Sequence, residues 1–210
     1  MLINHKHKEF RIVLISFSIM EGDYFMNTLT AFNPEAIGVL GLVITVFVFG
    51  LEQLGIGTKG GDHHEISKEV SYVAFWFGGV AQVLTAFFVC TFGFAGPKST
   101  FIGTIFGLYG FFWLVASNHF RYGGDKKMLG HFCMATGIIT VFLTVIAFKL
   151  GLIWPLGTVL ALIIALMVAL CIALWDIKPE FIKVAGVLNI AIGIGGLFIF
   201  WHAVTAGLGI

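Results

Sequence analysis

The most informative feature of this 210-residue sequence is how little charge it carries. Asp, Glu, Lys and Arg together make up 11% of the residues, whereas hydrophobic residues make up 59%. A soluble domain has about a quarter charged residues, because water must solvate its surface. So small a charged fraction predicts a chain whose surface faces lipid. The formal net charge is +1 and no long basic run occurs, so nothing indicates a nucleic-acid partner.

Residues that carry chemistry are also scarce. The three cysteines, Cys90, Cys133 and Cys171, stand alone in apolar stretches without metal or disulfide spacing. We interpret them as small buried hydrophobic residues. His63 and His64 lie beside acidic residues in a loop, but two histidines are too few to predict a metal site. No pattern typical of a catalytic site occurs, so we expect neither an enzyme nor a cofactor.

Long apolar segments, in contrast, are abundant. Each of six segments has roughly the 18 to 25 residues that a helix needs to cross a hydrocarbon core about 30 Å thick. None alternates in polarity as a barrel strand would. We therefore predict an all-α polytopic membrane protein, a six-helix bundle with a pore in each protomer. The predicted spans cover approximately residues 36–54, 70–94, 101–118, 129–150, 155–175 and 181–208.

The segments between these spans are short, and the longest covers residues 55–67. Function must therefore reside in the helices, and we predict one transmembrane channel or transporter domain over residues 33–210. Residues 1–32 contain a basic stretch and an apolar run that is too short to span a membrane. We interpret them as a flexible or interfacial extension. A signal peptide is the alternative, but no small-residue cleavage site follows the apolar run.

Polar residues inside the spans are the candidates for a solute pathway. No Asp, Glu, Lys or Arg occupies the centre of a span, although proton relays and ion-coupled sites usually contain such a group. This pattern favours a passage for small neutral solutes, or for weak acids that cross protonated. Tyr109, Gln82 and Asn189 lie within spans, where they either line the pathway or bond a neighbouring helix. Four more candidates lie near span ends, at a pore mouth or at the water interface: Glu52, Gln53, Asn118 and His119.

Three motifs point to a known family. Residues 33–39 read NPEAIGV, residues 77–82 read FGGVAQ, and residues 99–113 contain STF followed by YGFFW. In this order they resemble the signatures of the acetate uptake transporters, the family of the bacterial succinate–acetate permease. The first motif includes Asn33, Pro34 and Gly38. Its second proline is replaced by Ala36, and the glutamate that usually ends the second helix is absent.

The resemblance implies a narrow apolar constriction that passes small solutes after they shed water and excludes hydrated ions. Tyr109 corresponds to the family's tyrosine, while Leu42 and Leu166 fall where the family has a phenylalanine and a leucine. It further implies transport of acetate or similar small monocarboxylates, with or without proton coupling. The implied partners are the solute, membrane lipid and further copies of the chain in a homohexamer, and the implied location is the cytoplasmic membrane.

Two alternatives stay open at this point. Residues 116–120, ASNHF, resemble a helix end in the urea and short-chain amide channels, which also have six helices. This resemblance implies a urea or amide channel, with the loop histidines as a candidate pH gate. The second alternative is a membrane scaffold that transports nothing. It explains the glycine-rich spans as packing surfaces, but it does not explain the polar residues at mid-span.

Overall fold

Every predicted span is a helix in the computed structural model, which describes residues 33–208 except 59 and 94. Within these residues six helices are long and apolar enough to cross a membrane, which confirms the predicted all-α fold. The predicted extension over residues 1–32 lies outside the described residues. The helices are α1 (Pro34–Gln53), α2 (consecutive segments His63–Val73, Ala74–Val80 and Ala81–Phe92), α3 (Ser99–Tyr122), α4 (Lys126–Lys149), α5 (Thr158–Leu174) and α6 (Phe181–Leu208).

The start of α2 differs most from the prediction. The helix begins at His63, not near residue 70, and therefore includes part of the predicted loop. Asp62 is its N-cap, because its carboxylate accepts a hydrogen bond from the His64 backbone amide at 2.8 Å. The first two turns carry polar residues, so an apolar pattern does not reveal them. The middle segment, Ala74–Val80, is π-helical and continues directly into Ala81–Phe92.

The start of α4 is capped in the same way. The Asp125 carboxylate accepts hydrogen bonds from the backbone amides of Lys127 at 2.7 Å and Met128 at 3.2 Å. The bonds from Met128 and Lys127 stabilise the charged carboxylate and hold the pKa of Asp125 below its usual value. This cap lies outside the apolar part of the span, where water reaches it.

Glycines bring the helices into close contact. A Cβ atom added to Gly78 of α2 would lie 2.6 Å from Trp113 Cγ of α3, and one added to Gly50 of α1 would lie 2.9 Å from the Gly186 oxygen of α6. One added to Gly38 would lie 2.7 Å from side chains of α2 and α3. Helices in lipid associate through such close backbone packing, since no water is present to drive them together. The most extensive helix pair is α2 with α3, and α6 is the helix that α1 contacts most.

Asn33 fixes the start of α1 to the end of α6. Its side-chain oxygen accepts a hydrogen bond from the Glu35 amide at 3.1 Å, so Asn33 is an N-cap. Its amide nitrogen donates to the Ala203 carbonyl oxygen of α6 at 2.8 Å. Pro34 follows at the first helical position, and its carbonyl accepts a hydrogen bond from the Thr85 hydroxyl of α2 at 3.2 Å. The first motif thus joins three helices at one end of the bundle.

Candidate solute pathway

Two cavities lie within the bundle, each with a volume of about 80 Å³, and they share no lining residue. Helices α1, α3, α5 and α6 line both, one half of each helix facing one cavity and the other half facing the second. The cavities therefore lie on opposite sides of the middle of the bundle. A water molecule needs about 10–15 Å³ of such a cavity, so each has room for several waters or one small solute. We name them the Glu35-side cavity and the Gln53-side cavity.

Six of the predicted pathway residues line these cavities. Leu42, Gln82 and Tyr109 line the Glu35-side cavity. Gln53, Leu166 and Asn189 line the Gln53-side cavity. The predicted constriction is therefore divided, since Leu166 lies on the opposite side from Leu42 and Tyr109. All three nevertheless belong to, or pack against, one apolar cluster of the bundle.

The remaining pore-mouth candidates lie elsewhere. Glu52, Asn118 and His119 line neither of these two cavities. Asn118 is exposed on the surface of α3, and the His119 ring packs edge-on against Phe120. Of the four residues predicted near span ends, only Gln53 lines either of these two cavities. A role of the other three at a pore mouth stays a prediction.

By their positions along α1 and α6, two fully buried aliphatic side chains lie at the level between the cavities. Val46 of α1 is 1% exposed and Ile192 of α6 is 0% exposed. Val46 lies one turn beyond Leu42, which lines one cavity, and about one turn before Phe49, which lines the other. We call this region the apolar neck. Sequence reasoning missed both residues, because a buried valine or isoleucine looks the same in sequence as one that faces lipid.

Tyr109 is bonded to α4 as well as lining a cavity. Its hydroxyl oxygen lies 3.0 Å from Thr140 Oγ1, and the Thr140 hydroxyl donates to the Thr136 carbonyl oxygen at 2.8 Å. A hydroxyl has only one proton to donate. An arrangement in which Thr140 donates to the Thr136 carbonyl and Tyr109 donates to Thr140 gives both hydroxyl protons an acceptor.

Each cavity also contains a side-chain amide with an unpartnered atom. Gln82 and Asn189 are each 1% exposed. The Asn189 amide nitrogen donates to Gln53 Oε1 at 3.0 Å, whereas Asn189 Oδ1 and Gln82 Nε2 have no hydrogen-bond partner. A buried polar atom left without a partner costs about 1–3 kcal/mol. Each of the two atoms has less than 1 Å² of accessible surface, so the side chains around it must move before a solute or water can reach it.

The cavity walls carry little charge. The Gln53-side cavity is lined by apolar residues apart from Gln53, Asn189 and Cys133, with no Asp, Glu, Lys, Arg or His among its described lining residues. The Glu35-side cavity contains one acidic side chain, that of Glu35 in the first turn of α1. Within the described part of the chain, no group of three or more His, Cys, Asp or Glu residues is placed to hold a metal ion. The arrangement is suited to small solutes of low charge.

Comparisons with known proteins agree with this architecture. The structure is similar to that of the bacterial acetate channel SatP, with a TM-score of 0.70 and 20% sequence identity, over 85% of this chain and 95% of that one. The sequence is also 33% identical over 82 residues to the meiotically up-regulated gene 86 protein of Schizosaccharomyces pombe. That match covers 39% of this chain and spans about a quarter (24%) of the yeast protein. No protein-family model matches the sequence. The chain is an integral membrane protein with the six-helix fold of a bacterial acetate channel.

Proposed function

We propose that the chain is a membrane channel or transporter for acetate and similar small monocarboxylates. The observation that carries this proposal is the pair of cavities aligned through one bundle whose fold is that of an acetate channel. Each cavity has the volume of a small solute, and both contain a buried amide with an unpartnered atom.

The apolar neck acts as the selectivity barrier. Val46 and Ile192 offer no hydrogen bonds, so a solute must shed its water to pass between the cavities. A small monocarboxylic acid loses little by doing so, because its methyl group is apolar and the amides of Gln82 and Asn189 partly replace its hydration. A hydrated inorganic ion has no comparable compensation here.

The proposal includes assembly and location. The chain forms a homohexamer in the cytoplasmic membrane, each protomer with its own pore through residues 33–210. Large apolar side chains such as Trp76, Phe111 and Phe142 are exposed on different helices, so lipid or a further copy of the chain must cover them. Native mass spectrometry of the detergent-solubilised protein tests this, and a monomer or dimer mass would reject the hexamer.

Uptake into proteoliposomes tests the function directly. Labelled acetate and labelled urea are compared at about pH 5, close to the pKa of a simple carboxyl group at about 4.3, and at about pH 7.5. We expect acetate uptake above the leak of empty liposomes without matching urea uptake. Urea uptake in place of acetate would move the protein to the urea and amide channels. If neither solute enters, the membrane scaffold is the remaining explanation.

Variants at two tyrosines connect this flux to the cavities. Tyr109→Ala should change the rate or selectivity of uptake without preventing folding, because the side chain lines the Glu35-side cavity. Tyr122→Ala is the matched control, since Tyr122 is 73% exposed at the end of α3. Equal uptake by the wild type and both variants would remove Tyr109 from the pathway.

A further inference from the structure

Two of the three cysteines lie at the contact between α4 and α5. Cys133 of α4 is 1% exposed and Cys171 of α5 is 7% exposed. The Cys171 thiol donates a hydrogen bond to the Gly130 carbonyl oxygen at 3.3 Å, and Gly130 lies about one turn before Cys133 on α4. Cys133 also lines the Gln53-side cavity. The two thiols therefore lie together beside the candidate solute pathway.

The register of these two antiparallel helices places both cysteines in one layer of the contact. A Cβ atom added to Gly137 would lie 3.1 Å from the Met167 Cβ, and one added to Gly130 would lie 3.4 Å from the Leu174 Cβ. Each cysteine is four residues from the first of these contacts and three residues from the second. Residues at spacings of three and four share one face of a helix. The cysteines thus face each other between two close contacts of α4 with α5.

The third cysteine does not belong to this pair. Cys90 is exposed on α2, and its sulfur lies against α3, where a Cβ atom added to Gly103 would meet it. It therefore provides a thiol of the same chemistry outside the contact of α4 with α5.

The surroundings of the two thiols favour a ligand that leaves no charge behind. Both cysteines belong to the main apolar cluster of the bundle, where an uncompensated charge is costly. Monovalent copper held by two thiolates would carry a net negative charge. Zinc needs four ligands, and among the residues that the structure describes no group of three or more His, Cys, Asp or Glu could hold a metal ion.

Trivalent arsenic meets this requirement. Arsenous acid, As(OH)3, is a small uncharged molecule that reacts with two thiols without a change in oxidation state. Two S–H bonds and two As–O bonds break, two As–S bonds form, and each thiol proton leaves with an arsenic hydroxyl as water. The product, (RS)2AsOH, is neutral, so it can remain in an apolar cluster.

We propose that Cys133 and Cys171 form a dithiol site that binds trivalent arsenic across the contact of α4 with α5. Because Cys133 lines the Gln53-side cavity, bound arsenic should obstruct that cavity and lower solute uptake. This effect on uptake rests on the proposed function, whereas the binding of arsenic does not.

Binding is measured on the purified full-length protein after reduction with a phosphine. The protein is incubated with arsenous acid and freed of unbound arsenic by gel filtration. Intact mass and elemental analysis then give the arsenic content. We expect about one arsenic per chain, and X-ray absorption should show two sulfur atoms and one oxygen atom around it. Dimercaptopropanol, a dithiol, should release the arsenic, whereas mercaptoethanol at the same thiol concentration should not. Absence of bound arsenic, or a single sulfur neighbour, would overturn the inference.

Cysteine variants locate the site. Cys133→Ala and Cys171→Ala each remove one thiol, and arsenic affinity should fall about 100-fold or more in either, because the second As–S bond forms within one molecule. Cys90→Ala is the matched control and should bind arsenic like the wild type. Wild-type affinity in Cys133→Ala or Cys171→Ala would contradict the dithiol site, as would a loss of binding in Cys90→Ala. The X-ray absorption measurement uses the unmodified chain, so it decides the question even if a variant fails to fold.

Uptake into proteoliposomes distinguishes a failure of this inference from a failure of the proposed function. Arsenous acid should lower acetate uptake by the wild type and by Cys90→Ala, and dimercaptopropanol should restore it. Cys171→Ala should keep the uptake of its own untreated sample. Arsenic bound by two sulfur atoms without any loss of acetate uptake would refute the obstruction of the cavity. If acetate does not enter untreated liposomes, the proposed function fails, while the binding measurement still decides the dithiol site.

Discussion

The Tyr109–Thr140 hydrogen bond between α3 and α4 leads to a testable prediction about stability. Thr140→Val removes the hydroxyl that bonds to Tyr109 and replaces it with a methyl group of similar shape. The Tyr109 hydroxyl then loses this hydrogen bond at a position where its side chain is only 3% exposed. In Tyr109→Phe, by contrast, Thr140 keeps its own bond to the Thr136 carbonyl.

The magnitudes follow from the number of unsatisfied groups. A buried donor without a partner costs about 1–3 kcal/mol, whereas removing both partners of a buried bond is close to neutral. We therefore expect the double variant Tyr109→Phe/Thr140→Val to be more stable than Thr140→Val alone, by about 1 kcal/mol or more. Adding Tyr109→Phe should thus restore part of the stability that Thr140→Val removes.

Chemical unfolding in detergent, followed for the wild type, both single variants and the double variant, measures this coupling. Thr144→Val is the matched control on α4, because the Thr144 hydroxyl bonds only to the Thr140 carbonyl within its own helix. That variant should show a small loss with no dependence on Tyr109. If the losses of Tyr109→Phe and Thr140→Val simply add in the double variant, the bond between Tyr109 and Thr140 does not contribute to stability.

Three further predictions use other parts of the bundle. A membrane-permeant mercurial should block solute uptake, because Cys133 lines the Gln53-side cavity. The Cys133→Ala variant should resist the mercurial. Equal block of the wild type and the variant would contradict the position of Cys133 in this cavity. Gly78→Ala should destabilise the protein by about 1–3 kcal/mol in detergent unfolding, because its Cβ would lie 2.6 Å from Trp113 Cγ. Gly107→Ala, whose Cβ would meet its nearest neighbour at 3.7 Å, should be tolerated, and equal losses would refute the packing argument. The Asp125 carboxylate caps α4 fully at a pH above the carboxyl pKa of the unfolded chain. Its contribution to the free energy of unfolding is lost as the pH falls through the lowered pKa of the folded state. Asp125→Asn should therefore make the free energy of unfolding depend less on pH in the acid range.

Much of the fold follows from the sequence, because an apolar run of sufficient length has few other stable structures in lipid. The start of α2 does not, since its first turns are polar and the Asp62 cap sets where the helix begins. The π-helical segment Ala74–Val80 is equally hidden from an apolar pattern, which does not distinguish one kind of helical turn from another.

The candidate site could be predicted where a polar residue stands out against an apolar span. Tyr109, Gln82 and Asn189 are such residues, and all three line a cavity. The partner of Asn189 could not be predicted, because Gln53 lies 136 residues away and the packing of α1 on α6 brings the two together. Whether Asn118 lies at a pore mouth could not be predicted either, since a polar residue near a helix end looks the same in sequence whether it faces a pore or water.

The pairing of α1 with α6 has a consequence for biosynthesis. Among the six helices α1 is made first and α6 last. The packing of α1 cannot be completed until α6 has been made, because the most extensive contacts of α1 and the bond from Asn33 to Ala203 are with α6. More than a hundred residues separate the two helices, so at 5–20 residues per second the delay is roughly 6 to 26 s. During that time the glycine-bearing face of α1 that α6 will cover is exposed to lipid or to the insertion machinery. The packing of α6 on α1 therefore cannot form before α6 is made, and a chain that stalls before α6 lacks the wall that α6 gives to both cavities.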